Sequence, residues 1–443
     1  MRLLPKFSPL LLISFIVLRS LCGFCEEVAT NIITSEAEKS TFASGIANFM
    51  EDLSELHDNI QIGPVAIKPS YQVNEIFDDN TFDAPQDEVE DFYTLHKTRI
   101  VLETPFYDFI KTNLDYKIDI FDYEHVQERD HVNQSLAGTV EFNFANDFNL
   151  KFMDQIRRHV IPPGYQRRFG EDIVDIDIPI EDQGINVFRD RRDITSNIAR
   201  ADIDFPDFFT YLDFSLHYFN RDVSYQRSEF NQNDFNRDTV GANFEYQSPF
   251  FPITVTSGFD YSIIQYNNDK DRDNILKEIP FDVTWNIDKR NEIYLTTKYK
   301  ITDYRKNSRY ENFEGWEVLL GNRYDISPLS SIEIYGGRSI IEERKIDNNS
   351  YFDTKIGIKY TRELKRFTGY LDIEYFNLDF FETNEQLGGI ERVDGFTIDF
   401  NVKYNFQEWW FAEFDYGYNR QDNTFSSGDL TKNTVSLGLG MNF

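Results

Sequence analysis

Residues 396–406 read FTIDFNVKYNF. Every second position from Phe396 to Phe406 is apolar or aromatic, and the positions between them carry Thr, Asp, Asn, Lys and Asn. Because successive side chains of a β-strand point to opposite faces, this pattern predicts a strand with one apolar face and one polar face. The same alternation occurs in residues 110–120 and 253–263 and through most of the chain after residue 62.

The connectors between the predicted strands alternate between short and long. Short connectors are expected near 104–108, 145–147, 205–208, 248–252, 287–291, 326–330, 364–367 and 405–409, and long polar ones near 78–90, 124–130, 159–191, 222–237, 267–273, 304–314, 343–352, 381–392 and 420–431. Eight turns and nine loops correspond to eighteen strands. Short turns at one end and long loops at the other are typical of outer-membrane barrels.

Strand length and aromatic placement favour a membrane barrel over a soluble sandwich. The predicted strands span 11 to 14 residues, longer than the soluble mode of ~5–6 and sufficient for the ~9–11 residues that cross a bilayer. Aromatic residues cluster at the short turns, at Phe144, Phe148, Phe205, Phe208, Phe209, Phe250, Phe251, Phe406, Trp409 and Trp410. Rings of this kind settle at the headgroup level. We therefore expect an all-β fold, a transmembrane antiparallel up-and-down β-barrel of about 18 strands over residues 62–443. Pro69 and Pro280 fall inside strands, where bulges or misplaced strand boundaries are expected.

The first 61 residues have a different pattern. Residues 1–25 combine Arg2 and Lys6 with an apolar stretch and predict a secretory signal peptide. Residues 26–61 form an expected periplasmic segment, in which apolar residues at helical spacing predict an amphipathic helix over 40–57. That helix could rest on the barrel mouth, contact a partner or plug the bore. Both cysteines, Cys22 and Cys25, lie in the signal region.

The chain is strongly acidic. Its formal net charge is −31, and without the three cations of residues 1–25 it is −34. This charge argues against nucleic acid as a partner and is compatible with a surface or pore that attracts cations.

The last strand reads NTVSLGLGMNF over residues 433–443. Its apolar face is formed by Val435, Leu437, Leu439, Met441 and Phe443. A terminal aromatic residue after alternating apolar positions resembles the signal that barrel-assembly machinery reads. Together with GPVAIKPSYQVNEIFDDN at 63–80, this end of the chain resembles the bacterial family of beta-barrel porins called type 2. The resemblance implies a porin-like fold and a bacterial outer-membrane location; it implies no particular solute.

No residue pattern predicts catalysis or a cofactor. The six histidines are scattered, and no Gly-x-Ser-x-Gly turn, HExxH helix or Cys/His metal spacing is present. Asp269, Asp271 and Asp273 alternate in a loop tip, but neither a Gly nor a distal Glu completes a known Ca²⁺ loop. We expect no enzymatic activity, no cofactor and no metal site.

The longest connector, 159–191, carries a distinctive charge pattern. Arginines flank a central acidic stretch, and the set comprises Arg157, Arg158, Arg167, Arg168, Glu171, Asp172, Asp175, Asp177, Arg189, Arg191 and Arg192. An inward fold would make a charged constriction that sorts solutes. The alternative is an external loop that contacts lipopolysaccharide or a neighbouring subunit.

The polar strand faces predict the lining of the bore. Asp372, Glu374, Asp399, Lys403, Glu413 and Asp415 are expected to line it, because barrels of 16–18 strands normally enclose water. The leading hypothesis is a porin-like channel for passive diffusion of small hydrophilic solutes, with a cation preference. The alternatives are a barrel for polysaccharide export or surface attachment, and a structural or adhesive surface barrel. Expected partners are outer-membrane lipid, the assembly machinery and small hydrophilic solutes; whether the chain forms a homo-oligomer stays open.

Overall fold

A computed structural model describes residues 60–82, 88–107, 109–144, 148–161, 164–166, 186–188, 192–226, 234–305, 308, 312–341, 351–384, 389–407, 409–424 and 429–442. The predicted signal peptide and the predicted helix over 40–57 lie outside these residues, as does Phe443. No helix in the described part of the chain is long and apolar enough to cross a membrane.

The described residues form 21 strands. They are β1 (Ile60–Ile62), β2 (Val65–Asp78), β3 (Asp91–Tyr107), β4 (Ile110–Tyr123), β5 (His131–Asn143), β6 (Asn149–Ile161), β7 (Gly164–Gln166), β8 (Asn186–Phe188), β9 (Arg192–Phe209), β10 (Leu212–Tyr225), β11 (Phe235–Gln247), β12 (Ile253–Tyr266), β13 (Asn274–Asp288), β14 (Asn291–Tyr304), β15 (Phe313–Ser327), β16 (Ser330–Ile341), β17 (Tyr351–Glu363), β18 (Phe367–Asn384), β19 (Gly389–Asn405), β20 (Trp410–Asn423) and β21 (Leu430–Asn442).

Eighteen of these strands, β2–β6 and β9–β21, make a closed antiparallel barrel. Each pairs with the next in chain order, and β21 pairs with β2, from Ser70 opposite Asn442 to Asp78 opposite Thr434. β7 and β8 form a separate two-stranded antiparallel sheet within the longest connector. β1 pairs with the start of β2 across a turn at Gly63, whose φ of 62° is strained for other residues. The predicted fold class and strand number are confirmed.

The predicted alternation of short and long connectors holds except between β18 and β19. There β18 continues to Asn384 and β19 begins at Gly389, so most of the predicted long loop 381–392 is strand. Two further boundaries are also corrected. β3 continues to Tyr107 and β9 continues to Phe209, so 104–107 and 205–208 are strand rather than turn. The register shifts near both sites, between Pro105 and Tyr107 and between Leu212 and Phe214. We infer that irregular strand pairing accommodates the residues at these two strand ends that the sequence pattern predicted as turns.

The expected bulges at the two strand prolines are absent from the described pairings. Pro69 lies opposite Ile100 in an uninterrupted β2–β3 register, and β21 begins to pair one residue later. Pro280 lies opposite Lys298 in a regular β13–β14 register. On its other side the β12–β13 pairing skips Ile279 and Pro280 and resumes in the same register, because the proline nitrogen cannot donate. The Pro280 carbonyl accepts a hydrogen bond from the Ser257 hydroxyl on β12 at 3.2 Å.

The outer face of the barrel is a belt of exposed apolar side chains. Leu437 is 62% exposed and Ile356 58% exposed, although both are aliphatic and lie in mid-strand. A surface of this kind is compatible with lipid and unfavourable in water. Phenylalanines at the short turns form one edge of the belt; the Phe406 ring stacks on Trp410 at a centroid distance of 4.3 Å.

A ring of tyrosines forms the other edge of the belt. Each donates its hydroxyl to, or shares a hydrogen bond with, a polar side chain on the following strand, displaced toward the long loops. The pairs are Tyr71 with His96 (2.7 Å), Tyr218 with Asp238 (2.7 Å), Tyr375 with Asp394 (2.6 Å) and Tyr416 with Asn433 (3.0 Å). From Phe367 to Tyr375 on β18, a rise of about 3.3 Å per residue and a tilt of about 40° correspond to about 20 Å, close to the ~25 Å of known belts.

Candidate solute pathway inside the barrel

The inner wall carries the polar half of each strand. On β18, the apolar Leu371 and Ile373 pair with Phe400 and Ile398 on the outer face. By alternation, the residues between them face the interior. The structure brings the six predicted lining residues together on three adjacent strands, with Asp372 and Glu374 on β18, Asp399 and Lys403 on β19, and Glu413 and Asp415 on β20.

Five of these residues are carboxylates, and we call them the acidic wall: Asp372, Glu374, Asp399, Glu413 and Asp415. Asp372 lies directly opposite Asp399 in the register. The Tyr335 hydroxyl lies 3.1 Å from both Asp372 Oδ1 and Glu374 Oε2. Two ammonium groups are also nearby, with Lys355 Nζ 3.5 Å from Glu374 and Lys359 Nζ 4.0 Å from Asp372.

Amide donors hold the other end of the acidic wall. Asn401 Nδ2 donates to Glu413 Oε1 at 2.8 Å and also to Asp415. Gln72 Nε2 donates to the second oxygen of Glu413 at 2.8 Å. Hydrogen bonds to ionised carboxylates favour the charged form. The Lys403 ammonium group lies over the Phe411 ring, 3.6 Å from its centroid, so this lysine contacts an aromatic ring on the wall.

Flat-lying rings opposite glycines recur around the inner wall, and we call each a ring–glycine joint. In each joint the ring covers a glycine directly opposite on the next strand, where a Cβ atom would collide with the ring. The joints are His217 on Gly241, Tyr294 on Gly321, Tyr335 on Gly357, Phe376 on Gly395 and Phe411 on Gly440. Three of the rings reach a carboxylate two strands away, since Tyr294 donates to Glu333, Tyr335 donates to Asp372, and His217 contacts Asp260.

These joints were not predicted from the sequence. A glycine at an inward position of a strand was the available signal, but its ring partner lies on another strand and depends on register.

The wall outside β18–β20 has mixed charge. Arg237 Nη2 lies 3.3 Å from Glu278 Oε2, and Lys298 Nζ lies 3.3 Å from Glu278 Oε1. Arg99 makes two hydrogen bonds of 2.9 Å to Asp115. These carboxylates are therefore paired with cations, whereas the carboxylates of the acidic wall outnumber the lysines beside them.

At the long-loop end of the barrel, the same hydrogen bond joins the two ends of several loops, and we call it the loop clasp. In each case a side-chain oxygen on the residue before the returning strand accepts the backbone N–H of the last residue of the outgoing strand. The clasps are Asp130 with Tyr123 (2.8 Å), Asp234 with Tyr225 (2.7 Å), Asp273 with Tyr266 (2.6 Å), Asn312 with Tyr304 (2.9 Å) and Asp429 with Asn423 (2.8 Å).

Neighbouring loops are also tied to each other. The Asn267 N–H donates to the Asp234 carbonyl, and the Arg305 N–H donates to the Asp273 carbonyl. In the loop after β4, the His125 ring lies 2.9 Å from Asp91, and this hydrogen bond raises the pKa of His125 above its ordinary value. The rim is therefore held by hydrogen bonds from one loop to the next.

Buried apolar side chains line the inner wall near the clasps. One cluster spans β9 to β13 and contains Ile194, Val223, Tyr225, Phe235, Ile264, Tyr266 and Leu276. The Arg272 guanidinium lies over the Tyr266 ring, 4.3 Å from its centroid. Arg129 lies over the Tyr123 ring at 5.5 Å in the equivalent position of another clasped loop. The bore thus changes from a polar wall to an apolar one near its long-loop end.

The structure describes only part of the predicted constriction loop. Arg157 lies on the inner face of β6, opposite Ser135 and Ser196, whereas the next residue, Arg158, is exposed on the outer face. Arg158 therefore does not share the inner face with Arg157, because neighbouring strand residues alternate. Arg192 begins β9. Arg167, Arg168, Glu171, Asp172, Asp175, Asp177, Arg189 and Arg191 lie outside the described residues.

Comparison with solved structures supports the fold. The chain superposes on OccAB3 from Acinetobacter baumannii with a TM-score of 0.51 at 8% identity, covering 86% of this chain and 100% of that one. For the outer membrane protein OpdK from Pseudomonas aeruginosa the TM-score is 0.50 at 8% identity, and the match covers 85% of this chain and 99% of that one. For OccK9 (OpdG) from the same organism it is 0.50 at 10% identity, with 85% and 98% covered.

The chain has the fold of an outer-membrane porin. No protein-family model matches the chain, and no curated protein matches it. At sequence identities of 8–10%, these similarities are evidence for the fold alone.

Proposed function

We propose that this chain is a bacterial outer-membrane channel of the porin kind, related to the beta-barrel porins called type 2, through which small hydrophilic solutes diffuse passively. The observation that carries the proposal is the inner wall. In a closed eighteen-stranded barrel, the polar lining that extends from the short turns to the apolar cluster near the loop clasps is favourable only against water. Passage then needs no catalytic step, cofactor or metal.

The acidic wall supports a preference for cations. Asp372, Asp399 and Glu413 lie on adjacent strands of the same inner face, and charges within about 8–10 Å of a passing ion are only partly screened at physiological salt. Arg157 opposes this preference from another part of the wall. The role of loop 159–191 as a constriction remains part of this proposal.

Outer-membrane lipid and the barrel-assembly machinery are the proposed partners. Val435, Leu437, Leu439 and Met441 share the outer face of β21, which supports a lipid-facing closing strand. The alternative of polysaccharide export rests on the predicted helix over 40–57, outside the described residues. No described contact favours that alternative.

Planar-bilayer recording of the purified protein tests the proposal. We expect stepwise ohmic conductance and a zero-current potential of the cation-selective sign in a salt gradient. A barrel that inserts, as judged by heat-modifiable migration on gels, but passes no ions would contradict the channel. Deletion of residues 26–60 distinguishes a plugged bore from a closed one, because only a plugged bore would then conduct.

A further inference from the structure

His217 occupies one of the ring–glycine joints, at the position that tyrosine occupies in two others. Its ring lies over Gly241, directly opposite on β11, and a Cβ at position 241 would collide with it. Its Nε2 atom lies 2.9 Å from Asp260 Oδ1 on β12. In the same geometry, the Tyr294 hydroxyl reaches Glu333 and the Tyr335 hydroxyl reaches Asp372.

The three joints differ in one chemical respect. Histidine changes its charge between pH 5 and 8, whereas a tyrosine side chain stays neutral throughout that range. The His217 side chain is 15% exposed and the Asp260 side chain 24% exposed, so both contact the interior of the barrel as well as the wall.

Mostly acidic groups surround His217 on the inner face. Asp202 lies directly opposite it on β9, and Asn243 Nδ2 lies 3.5 Å from His217 Nδ1. The charged side chains on the same face of the strands around it are Arg200, Asp202 and Asp204 on β9, Asp213 and Arg221 on β10, Arg237 and Glu245 on β11, Asp260 on β12, and Glu278 and Asp282 on β13. Arg237 is paired with Glu278. Arg200 Nε donates to both carboxylate oxygens of Asp202, at 2.8 and 2.9 Å, and Lys151 on β6 lies directly opposite Asp202. The positive charge of a protonated His217 would therefore lie between Asp202 and Asp260.

We propose that His217 is a specificity-determining residue whose protonation lowers the cation preference of the bore. Protonated, the ring places a positive charge between two carboxylates and weakens their field in the lumen. Neutral, it leaves the Asp260 carboxylate to attract cations, while Asp202 stays paired with Arg200. The inference rests on the proposed channel function and deepens it, since it names the group through which external pH would alter selectivity.

His217→Tyr is the sharpest variant, because Tyr294 and Tyr335 already occupy the same kind of joint. In a gradient of dilute salt, the zero-current potential of the wild-type protein is measured at about pH 8 and about pH 5. We expect the cation-to-anion permeability ratio to fall about twofold on acidification, the combined effect on a cation and an anion of one unit charge about 9 Å away, screened by salt at about 0.1 M. The variant should lose that part of the response.

Two further variants keep the test decisive. His217→Gln also cannot titrate but needs less space, and it should match His217→Tyr if the tyrosine variant folds poorly. His125→Gln removes a titrating histidine from the loop after β4, outside the bore, and should respond to pH like the wild type.

An equal pH response in wild type and both His217 variants would overturn the inference and assign the response to the wall carboxylates. Absence of current in folded wild-type barrels at both pH values would instead overturn the proposed channel itself.

Discussion

Tyr335 on β16 lies directly opposite Gly357 on β17, and its ring fills the space that a Cβ atom at position 357 would occupy. This contact keeps the ring flat against the wall, where its hydroxyl reaches Asp372 and Glu374. Because Gly357 has no side chain, the Tyr335 ring can lie against the wall and place its hydroxyl within hydrogen-bond distance of two carboxylates. The ring then does not extend into the bore.

The joint leads to the first prediction. Gly357→Ala should force the Tyr335 ring off the wall and lower the free energy of unfolding by about 1–3 kcal/mol, the usual effect of overpacking. Urea unfolding in detergent micelles measures it. Gly417→Ala is the matched control, because the nearest atom to its Cβ, Asp399 Oδ1, would be 3.6 Å away. Equal losses from the two variants would contradict the joint.

The outer belt leads to the second prediction. Ile358 lies on the outer face of β17 between Ile334 and Ile373. Ile358→Arg should destabilise the barrel in lipid vesicles by about 2–4 kcal/mol. Thr354→Arg, on the same face of β17 but beyond the tyrosine edge, should cost about 0–1 kcal/mol. If the depth of the substitution had no effect on unfolding in vesicles, the belt would be wrongly placed.

The acidic wall leads to the third prediction. The amide variant Asp372→Asn, Glu374→Gln, Glu413→Gln, Asp415→Asn should lower the cation-to-anion permeability ratio by about three- to tenfold in dilute salt, and less in concentrated salt. Zero-current potentials in a salt gradient measure the ratio. The control removes four outer-face carboxylates through Glu75→Gln, Asp379→Asn, Asp394→Asn and Asp422→Asn. A wild-type bore that prefers anions would refute the assignment and favour control by arginines such as Arg157.

A loop clasp leads to the fourth prediction. Asp273 is 2% exposed, accepts the Tyr266 N–H, and has its Oδ2 atom 2.8 Å from Arg305. Asp273→Ala removes the acceptor of that N–H and of the guanidinium. It should lower the free energy of unfolding by about 1–3 kcal/mol. Hydrogen exchange at the Tyr266 amide should become faster. The exposed Asp271 on the same loop provides the control, since Asp271→Ala should stay within about 0.5 kcal/mol. Unchanged exchange at Tyr266 would show that the clasp does not hold the loop.

The apolar face of β21 leads to the fifth prediction. Phe443→Ser should reduce insertion into the outer membrane and leave protein in the periplasm, since the sequence pattern places Phe443 in line with Leu439 and Met441. Asn442→Ser changes the adjacent residue, which pairs with Ser70 on the inner face, and should insert normally. Fractionation of cells measures insertion. Normal insertion of the Phe443 variant would remove the assembly role from this residue.

Alternation of residue types was enough to predict the strands, their number and their faces. FTIDFNVKYNF could be assigned one face for lipid and one for water because the two-residue period of a strand is a local property of the chain. Asp399 and Glu413 could be placed on the same side of the sheet for the same reason. The ends of β3 and β9 could not be predicted from the pattern, because aromatic residues at the rim of a barrel occur in the last residues of a strand as well as in a turn.

Register and loop closure depend on tertiary structure. Whether His217 faces Gly241, or Asp273 reaches Tyr266, follows from how strands are aligned against one another. A shift of two residues would preserve every inside and outside assignment and abolish each of these contacts. The sequence by itself determined that this chain forms a membrane barrel with a polar bore. Only the closed sheet decided which rings lie over which glycines and which histidine stands between carboxylates, because those positions are defined by pairing between strands.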